Sequence, residues 1–424
     1  MNLVAGLRGR APQISFARLA VLLAIIGPGI ITANVDNDAG GITTYSIAGA
    51  HFGYSLLWLL IPITFALFVV QEMCARMGVV TGKGLADLIR ERFGIKPTVV
   101  LLLGFIIANL CTTTAEFAGV AASMEIFGVS KYVSVPVAAV LVWSIVVMGN
   151  RRSLEKIFLV ASSVYITYIV SGLMLKPDWK FLFTQTVTPS LSLEPGYLYM
   201  VIGIVGTTIT PWMQFYLQST IVEKGIKISE YKYTKWDVYV GCLITDVVSY
   251  FIIFTCAATI FAGGIRIETA KDAALALFPL AGEYSALLFA FGLLNASLFA
   301  ASILPLSTAY FLCEGMGWDS GLNKRFGDAP QFYLLFTLLI AFGAIFILIP
   351  SAPLLTIMVL SQVINGSLLP MVLLFILILI NDRRIMGKYT NGRLFNLIAW
   401  STTIIMSILT VLLVVTTIFP VAGG

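Results

Sequence analysis

Charge is scarce in this 424-residue sequence: Asp, Glu, Lys and Arg together make up 11%, against 59% hydrophobic residues. A water-soluble domain carries about a quarter charged residues, so an aqueous globule is excluded. Histidine occurs once, as His51, which rules out a multi-histidine metal site. The five cysteines (Cys74, Cys111, Cys242, Cys256, Cys313) lie apart in apolar segments without a CxxC pair. They read as small core residues, not as a metal site or a disulfide framework. There is no Walker-type phosphate loop, no HExxH, and no nucleophile with a histidine to activate it, so an enzyme is not expected. The net charge of +5 calls for no nucleic-acid partner in so apolar a chain, and no cofactor is implied.

What is present is a series of long apolar runs. At about 20 residues per crossing, they predict an all-α polytopic membrane protein of about eleven transmembrane helices. These fall at 18 to 50 (broken), 54 to 80, 98 to 128, 133 to 149, 154 to 175, 196 to 222 (broken), 237 to 263, 284 to 315, 331 to 350, 354 to 380 and 393 to 419. The length leaves room for one compact bundle in the lipid bilayer and little else. Arg8, Arg10 and Arg18 precede the first run as in a secretory signal, but Pro28, Asn34 and the polar stretch that follows favour a retained first helix. Residues 83 to 93, with Asp87, Arg90, Glu91 and Arg92, form a short amphipathic piece expected at the membrane surface. Glu72, Asp246 and Glu314 are placed near helix ends, solvated or paired.

Lys and Arg are retained on the cytoplasmic side. Of the 26, only Lys131, Lys176, Lys180, Arg266 and Lys271 fall in one set of alternate loops and the other 21 in the opposite set. The imbalance predicts an amino terminus inside and a carboxyl terminus outside, in the plasma membrane. A monomer is expected.

Two spans are interrupted. Asn34-Val35-Asp36-Asn37-Asp38-Ala39-Gly40-Gly41 sets two carboxylates, two carboxamides and two glycines in an apolar run. Such charges cost about 2.5 to 3.5 kcal/mol each at mid-bilayer unless they face a partner or a watery cavity. Gly40 and Gly41 would ease an unwound backbone there. The second interruption, Gly206-Thr207-Thr208-Ile209-Thr210-Pro211-Trp212, contains a proline that frees a carbonyl one turn earlier, near Thr207. Breaks in the first and sixth spans predict an inverted five-plus-five repeat with substrate held between the halves. The repeats would be 1–175 and 196–380, with a last helix at 393–419.

Asp38 is the first candidate cation ligand, with Asp36 and Asn37 beside it on the unwound turn. The alternative is that Asp38 caps the second half-helix, although Ser or Thr would cap at lower burial cost, and that Asp36 points into a vestibule. Thr207 and Thr210, one turn apart, offer hydroxyl or carbonyl oxygen, although membrane threonines often satisfy their own backbone. Gln362 and Asn365 share a face of the tenth span, as do Gln214 and Gln218 in the sixth; all four amides suit either a site or interhelical bonding. Glu116 is an intramembrane acid that fits a proton relay or a protonated acid in a packed interface.

Several motifs resemble the Nramp divalent-metal transporter family. They are Gly27-Pro28, Ala48-Gly49-Ala50 followed by Gly53-Tyr54-Ser55-Leu56-Leu57-Trp58, and Gly78-Val79-Val80-Thr81-Gly82-Lys83. Further on come Ala115-Glu116-Phe117-Ala118-Gly119, Ser361-Gln362-Val363 and Asn381-Asp382-Arg383-Arg384-Ile385-Met386-Gly387. The resemblance implies the amino-acid/sodium symporter type of fold and carries ligand roles to Asp38, the Thr207 carbonyl and Gln362. Typical members read Asp-Pro-Gly-Asn at the first break and Met-Pro-His at the sixth; here the residues are Asp38-Ala39-Gly40-Gly41 and Thr210-Pro211-Trp212. The asparagine, methionine and histidine are therefore missing, and Met213 is turned to another face. Of the family's proton route, the histidine is Trp212, the first acid of the third helix is Thr113, and only Glu116 remains.

Thioether sulfur favours soft metals, whereas carboxylate, carbonyl and water suit Mg2+, which keeps several waters. The short residues Gly41 and Thr210 are expected to leave room for them. The sequence thus resembles the Mg2+-transporting branch related to Nramp, and uncoupled alternating-access transport of partly hydrated Mg2+ is expected, with Mn2+ as a further substrate. The alternatives are a proton-coupled Mn2+ or Fe2+ importer and an organic amine or amino-acid carrier in which Trp212 stacks on the solute.

Overall fold

A computed structural model describes residues 27–148, 162–322 and 324–418. Arg8, Arg10, Arg18 and the start of the first span lie outside the described residues, as do Arg151, Arg152, Lys156 and the start of the fifth. The described elements are helices without a strand. The first span comprises α1 (Pro28–Val35) and α2 (Ala39–Phe52), followed by α3 (Leu57–Thr81), α4 (Leu85–Phe93), α5 (Ile95–Ile126) and α6 (Lys131–Met148). Next come α7 (Ile166–Met174), α8 (Trp179–Val187), and the halves α9 (Pro195–Thr208) and α10 (Pro211–Glu223). The chain closes with α11 (Tyr231–Cys256), α12 (Ser285–Met316), α13 (Pro330–Ile347), α14 (Leu354–Asn381) and α15 (Arg393–Ile418). Nine stretches among the described residues are long and apolar enough to cross a membrane. With the broken first span and the fifth, they match the expected order of crossings.

Outward faces carry apolar side chains. Val133, Val137 and Val140 of α6 and Ile404, Ile408 and Val411 of α15 are each more than half exposed. In water such stripes would aggregate; in lipid they are solvated. The α4 helix behaves as its amphipathic pattern predicts, with Leu85, Ala86, Leu88 and Ile89 buried and Lys83 paired to Glu91 at 2.7 Å outside.

The core is built by close backbone approaches around the two breaks. A Cβ on Gly366 of α14 would strike the Ile202 carbonyl of α9, and one on Gly206 would strike the Gln362 carbonyl. This pair of glycines brings α14 onto α9 next to the sixth-span break. On the other side, α11 lies along α1 through residues spaced one or two helical turns apart. Asp237 accepts from the Gly27 and Gly29 amides (3.3 and 2.7 Å), Thr245 donates to the Ala33 carbonyl, and Ser249 donates to Asn37 Oδ1 at 3.2 Å. Asp237 thus caps α1 from another helix, satisfying amides that a helix start leaves free.

Near the α3 end, Glu72 is paired with Arg76 at 3.0 Å and also accepts from the Tyr231 hydroxyl. Arg76 further donates to the Tyr389 and Thr390 carbonyls (3.0 and 3.2 Å) and to Asn391 Oδ1 at 2.5 Å. Arg76→Met strands the buried Glu72 carboxylate, and breaking a buried pair from one side costs roughly 3 to 5 kcal/mol. A lower thermal midpoint in detergent is expected; an unmoved midpoint would mean that the Glu72 charge is compensated without Arg76. Beyond α14, Asp382 accepts from the Arg384 amide at 2.9 Å and from Arg92 at 2.8 Å. These contacts, the amide foremost, hold its carboxyl below the usual carboxylate range.

Candidate metal centre

Both breaks are short and meet in the interior. In the first span the non-helical residues are Asp36, Asn37 and Asp38; Asp38 stands as the N-cap of α2 in extended conformation, accepting the Gly41 amide at 2.5 Å. In the sixth they are Ile209 and Thr210, with Pro211 opening α10. Because Pro211 has no N–H, the Thr207 carbonyl has no helical donor four residues on. Asp38, Thr207, Thr210 and Gln362 are all at most 2% exposed.

Gln362 of α14 reaches the first break and donates through Nε2 to Asp38 Oδ1 and Oδ2 (3.2 and 3.4 Å). Its own Oε1 accepts from Asn365 Nδ2 at 3.2 Å, and the same Asn365 nitrogen donates to Thr112 of α5 at 3.0 Å. The order Thr112, Asn365, Gln362, Asp38 is therefore a continuous buried chain. Carbonyl and amine of a carboxamide are exchanged by a half-turn. A rotated Gln362 would offer an oxygen to an ion held by Asp38. The Thr207 and Thr210 hydroxyls are buried without a partner among the described residues.

Two expectations about glycine are corrected. Gly40 and Gly41 are not in the unwound stretch but in the first turn of α2. Nor does Gly41 leave open space for water: a Cβ there would meet the Asp36 carbonyl at 2.5 Å, Thr207 Oγ1 at 2.9 Å and Asp38 Oδ1 at 3.3 Å. The missing side chain lets the two breaks close on each other. A Cβ on Gly40 would likewise strike the Gln362 amide.

The remaining candidates divide. Asp36 is buried in the break, both carboxylate oxygens without a partner among the described residues, and makes no bond to Gln362. Asn37 is held by Ser249, and its carbonyl accepts the Tyr165 hydroxyl at 2.9 Å. Gln214 donates to the Thr210 carbonyl at 3.3 Å, and Gln218 reaches away to the Lys83 carbonyl at 2.9 Å. Trp212 is fully buried, with its carbonyl accepting Ser307 of α12 at 3.2 Å. A ring so enclosed offers no free face for stacking a solute. Glu116 accepts the Ala39 amide at 3.2 Å and lies within reach of the Asp38 carboxylate, so it caps α2 jointly with Asp38.

Sulfur stands off. Met213 accepts from Gln71 at 3.7 Å, and Met358, one turn from Gln362, accepts from Thr43 at 3.4 Å. His51, at the far end of α2, is exposed.

Asp246 contradicts its expected place. It lies mid-way along α11, 4% exposed, with no hydrogen bond to either oxygen among the described residues, because the helix begins at Tyr231 and the acid falls four turns in. The signal was in the sequence: a carboxylate nine residues into the run from 237 is too deep for a helix end. Glu314 does lie near a helix end, yet it is 9% exposed and covered rather than solvated. Glu72 is paired, as expected.

Two broken spans meeting at a buried carboxylate define a polytopic transporter of the broken-helix class. Solved structures share this fold. A manganese transporter from Eremococcus coleocola, in complex with an aromatic bis-isothiourea substituted compound, matches with a TM-score of 0.80 at 21% identity, covering 97% of this chain and 91% of that one. Mutants of the same protein match with a TM-score of 0.80 at 20% identity, over 98% and 91%. A nucleobase-cation-symport-1 family transporter, Mhp1, in a closed conformation with bromovinylhydantoin bound, matches with a TM-score of 0.57 at 15% identity, over 93% and 94%. The model of the natural resistance-associated macrophage protein-like (Nramp) family matches residues 29–416. The chain belongs to that family, and is a divalent-metal transporter rather than an enzyme.

Proposed function

We propose that this protein carries partly hydrated Mg2+ by alternating access, driven by membrane potential without proton coupling. One observation carries the reading: the groups that can reach an ion beside Asp38 are oxygens. They are the Asp38 carboxylate, the Thr207 carbonyl that Pro211 leaves without a helical donor, the Thr207 and Thr210 hydroxyls and the rotatable Gln362 amide. The Met213 and Met358 sulfurs are held by Gln71 and Thr43, and the single imidazole, His51, is exposed at the far end of α2. A site of hard donors suits Mg2+ and lacks the thioether that would discriminate against it. Asp38 would be the permanent anionic ligand, and Gln362 would turn its oxygen inward as the Asn365 amide, which now donates to that oxygen, turns with it. An inward-negative potential favours a divalent ion by about 4.6 kcal/mol per 100 mV, twice the single-charge figure. We place the carrier in the plasma membrane as a monomer, amino terminus inside, with residues 1–175 and 196–380 as its repeats.

Absence of coupling rests on Glu116. Thr113 and Trp212 do not titrate, which leaves Glu116 alone of the family's proton route, with one oxygen capping α2 and the other without a partner among the described residues. Purified protein in liposomes, with potential and pH clamped separately, should take up Mg2+ in proportion to potential and leave intravesicular pH unchanged. Acidification in step with metal flux would defeat the uncoupled reading. The likeness to a manganese transporter favours a second reading, proton-coupled Mn2+ uptake through Glu116; a Mn2+ rate far above that of Mg2+ together with acidification would select it.

A further inference from the structure

Asp36 and Asp246 put four carboxylate oxygens into the membrane interior, and among the described residues none has a hydrogen-bond partner. The side chains are 1% and 4% exposed. They belong to one seam. The Thr245 to Ala33 and Ser249 to Asn37 bonds tie α11 to the first span on either side of them. Hydroxyls along the seam are engaged with other acceptors: Thr64, which lies close enough to Asp246 to ease its charge, donates to the Leu60 carbonyl at 2.7 Å, Thr245 to Ala33, Ser249 to Asn37, and Tyr45 is bonded to Thr208 at 2.7 Å. No Lys or Arg is paired with either acid among the described residues. Two desolvated carboxylates without donors are costly to bury, and a charge of −2 on four carboxylate oxygens is neutralised by one hard divalent cation; the buried Cys242 thiol lies one turn before Asp246 on α11.

We infer that Asp36 and Asp246 form a second binding site for a hard divalent cation, beside the Asp38 site and distinct from it. The two sites share the first-span break, so an ion leaving Asp38 has a second pair of carboxylates within the same interior. The inference takes its ion from the proposed transport reading, and its test separates the two. Mn2+ serves as the probe: free Mn2+ is counted by electron paramagnetic resonance during titration of purified protein to saturation. Wild type should bind two ions per chain. Asp246→Asn and Asp36→Asn should each bind one, and so should Asp38→Ala; a monodisperse gel-filtration peak verifies the fold of each variant. One ion in wild type that is kept by Asp246→Asn and lost in Asp38→Ala overturns the second site and leaves the Asp38 reading intact. One ion lost in Asp246→Asn but kept in Asp38→Ala supports the second site and removes the Asp38 reading. Two ions retained in both Asp246→Asn and Asp36→Asn, or none in wild type, overturns the inference.

Discussion

Replacing Asp38 by alanine is expected to abolish metal-dependent uptake while leaving a folded, extractable protein. Asp38 has three roles that can be separated. It carries the negative charge at the meeting of the breaks, accepts the Gly41 amide as the N-cap of α2, and receives the Gln362 amide. Losing the cap costs about 1 kcal/mol, and Glu116, which accepts the Ala39 amide, remains to hold the helix start. Losing the charge removes on the order of 3 kcal/mol of ion interaction, roughly a hundredfold in affinity. Asp38→Asn distinguishes the roles, because it keeps an oxygen for Gly41 without the charge. Both variants should show background uptake in liposomes and near-normal thermal midpoints. Mg2+ uptake at the wild-type rate in either would take Asp38 out of the site.

The second large effect is on selectivity. Thr210 is the N-cap of α10, yet its hydroxyl caps nothing and is buried without a partner. Its side chain can therefore be exchanged without losing a bond. Thr210→Met brings a polarisable sulfur to the break, next to the Thr207 carbonyl, and soft donors favour Mn2+ and Cd2+ over Mg2+. Competition uptake should show the Mn2+ to Mg2+ ratio rising about tenfold, which corresponds to about 1.4 kcal/mol. The larger side chain strains a site closed by Gly41, at a cost of about 1 to 3 kcal/mol in stability. Total transport should therefore fall while the ratio rises. An unaltered ranking of the ions would show that the residue at 210 does not touch them.

Much of the architecture was legible because the membrane imposes length and polarity on each crossing. The spans, both breaks and the amphipathic piece at α4 appear where hydropathy and Pro211 place them. The site was legible in its residue types and less so in its geometry. Asp38, Gln362 and the Thr207 carbonyl were nameable because an acid, an amide and a proline-freed carbonyl are each costly in an apolar run. What Gly40 and Gly41 do was misread, since glycine permits both an unwound turn and a tight contact, and only the packed neighbours tell which. Asp246 was misplaced because a helix end was assigned to an acid whose helix starts well before it.

The sequence by itself determined that the chain crosses a membrane many times, that two crossings break, and that the breaks carry oxygen donors where the family carries sulfur and imidazole. Those are properties of composition and order, which local chemistry constrains directly. Only the tertiary structure decided which donors share a space. It set Gln362 on Asp38 across 324 residues, capped α2 with Glu116, and brought Asp246 towards Asp36. The reason is that helix rotation and register come from packing between distant segments, here through Gly206 against α14 and the Asp237 to Ser249 face of α11 against α1. No stretch read alone contains its partner's position.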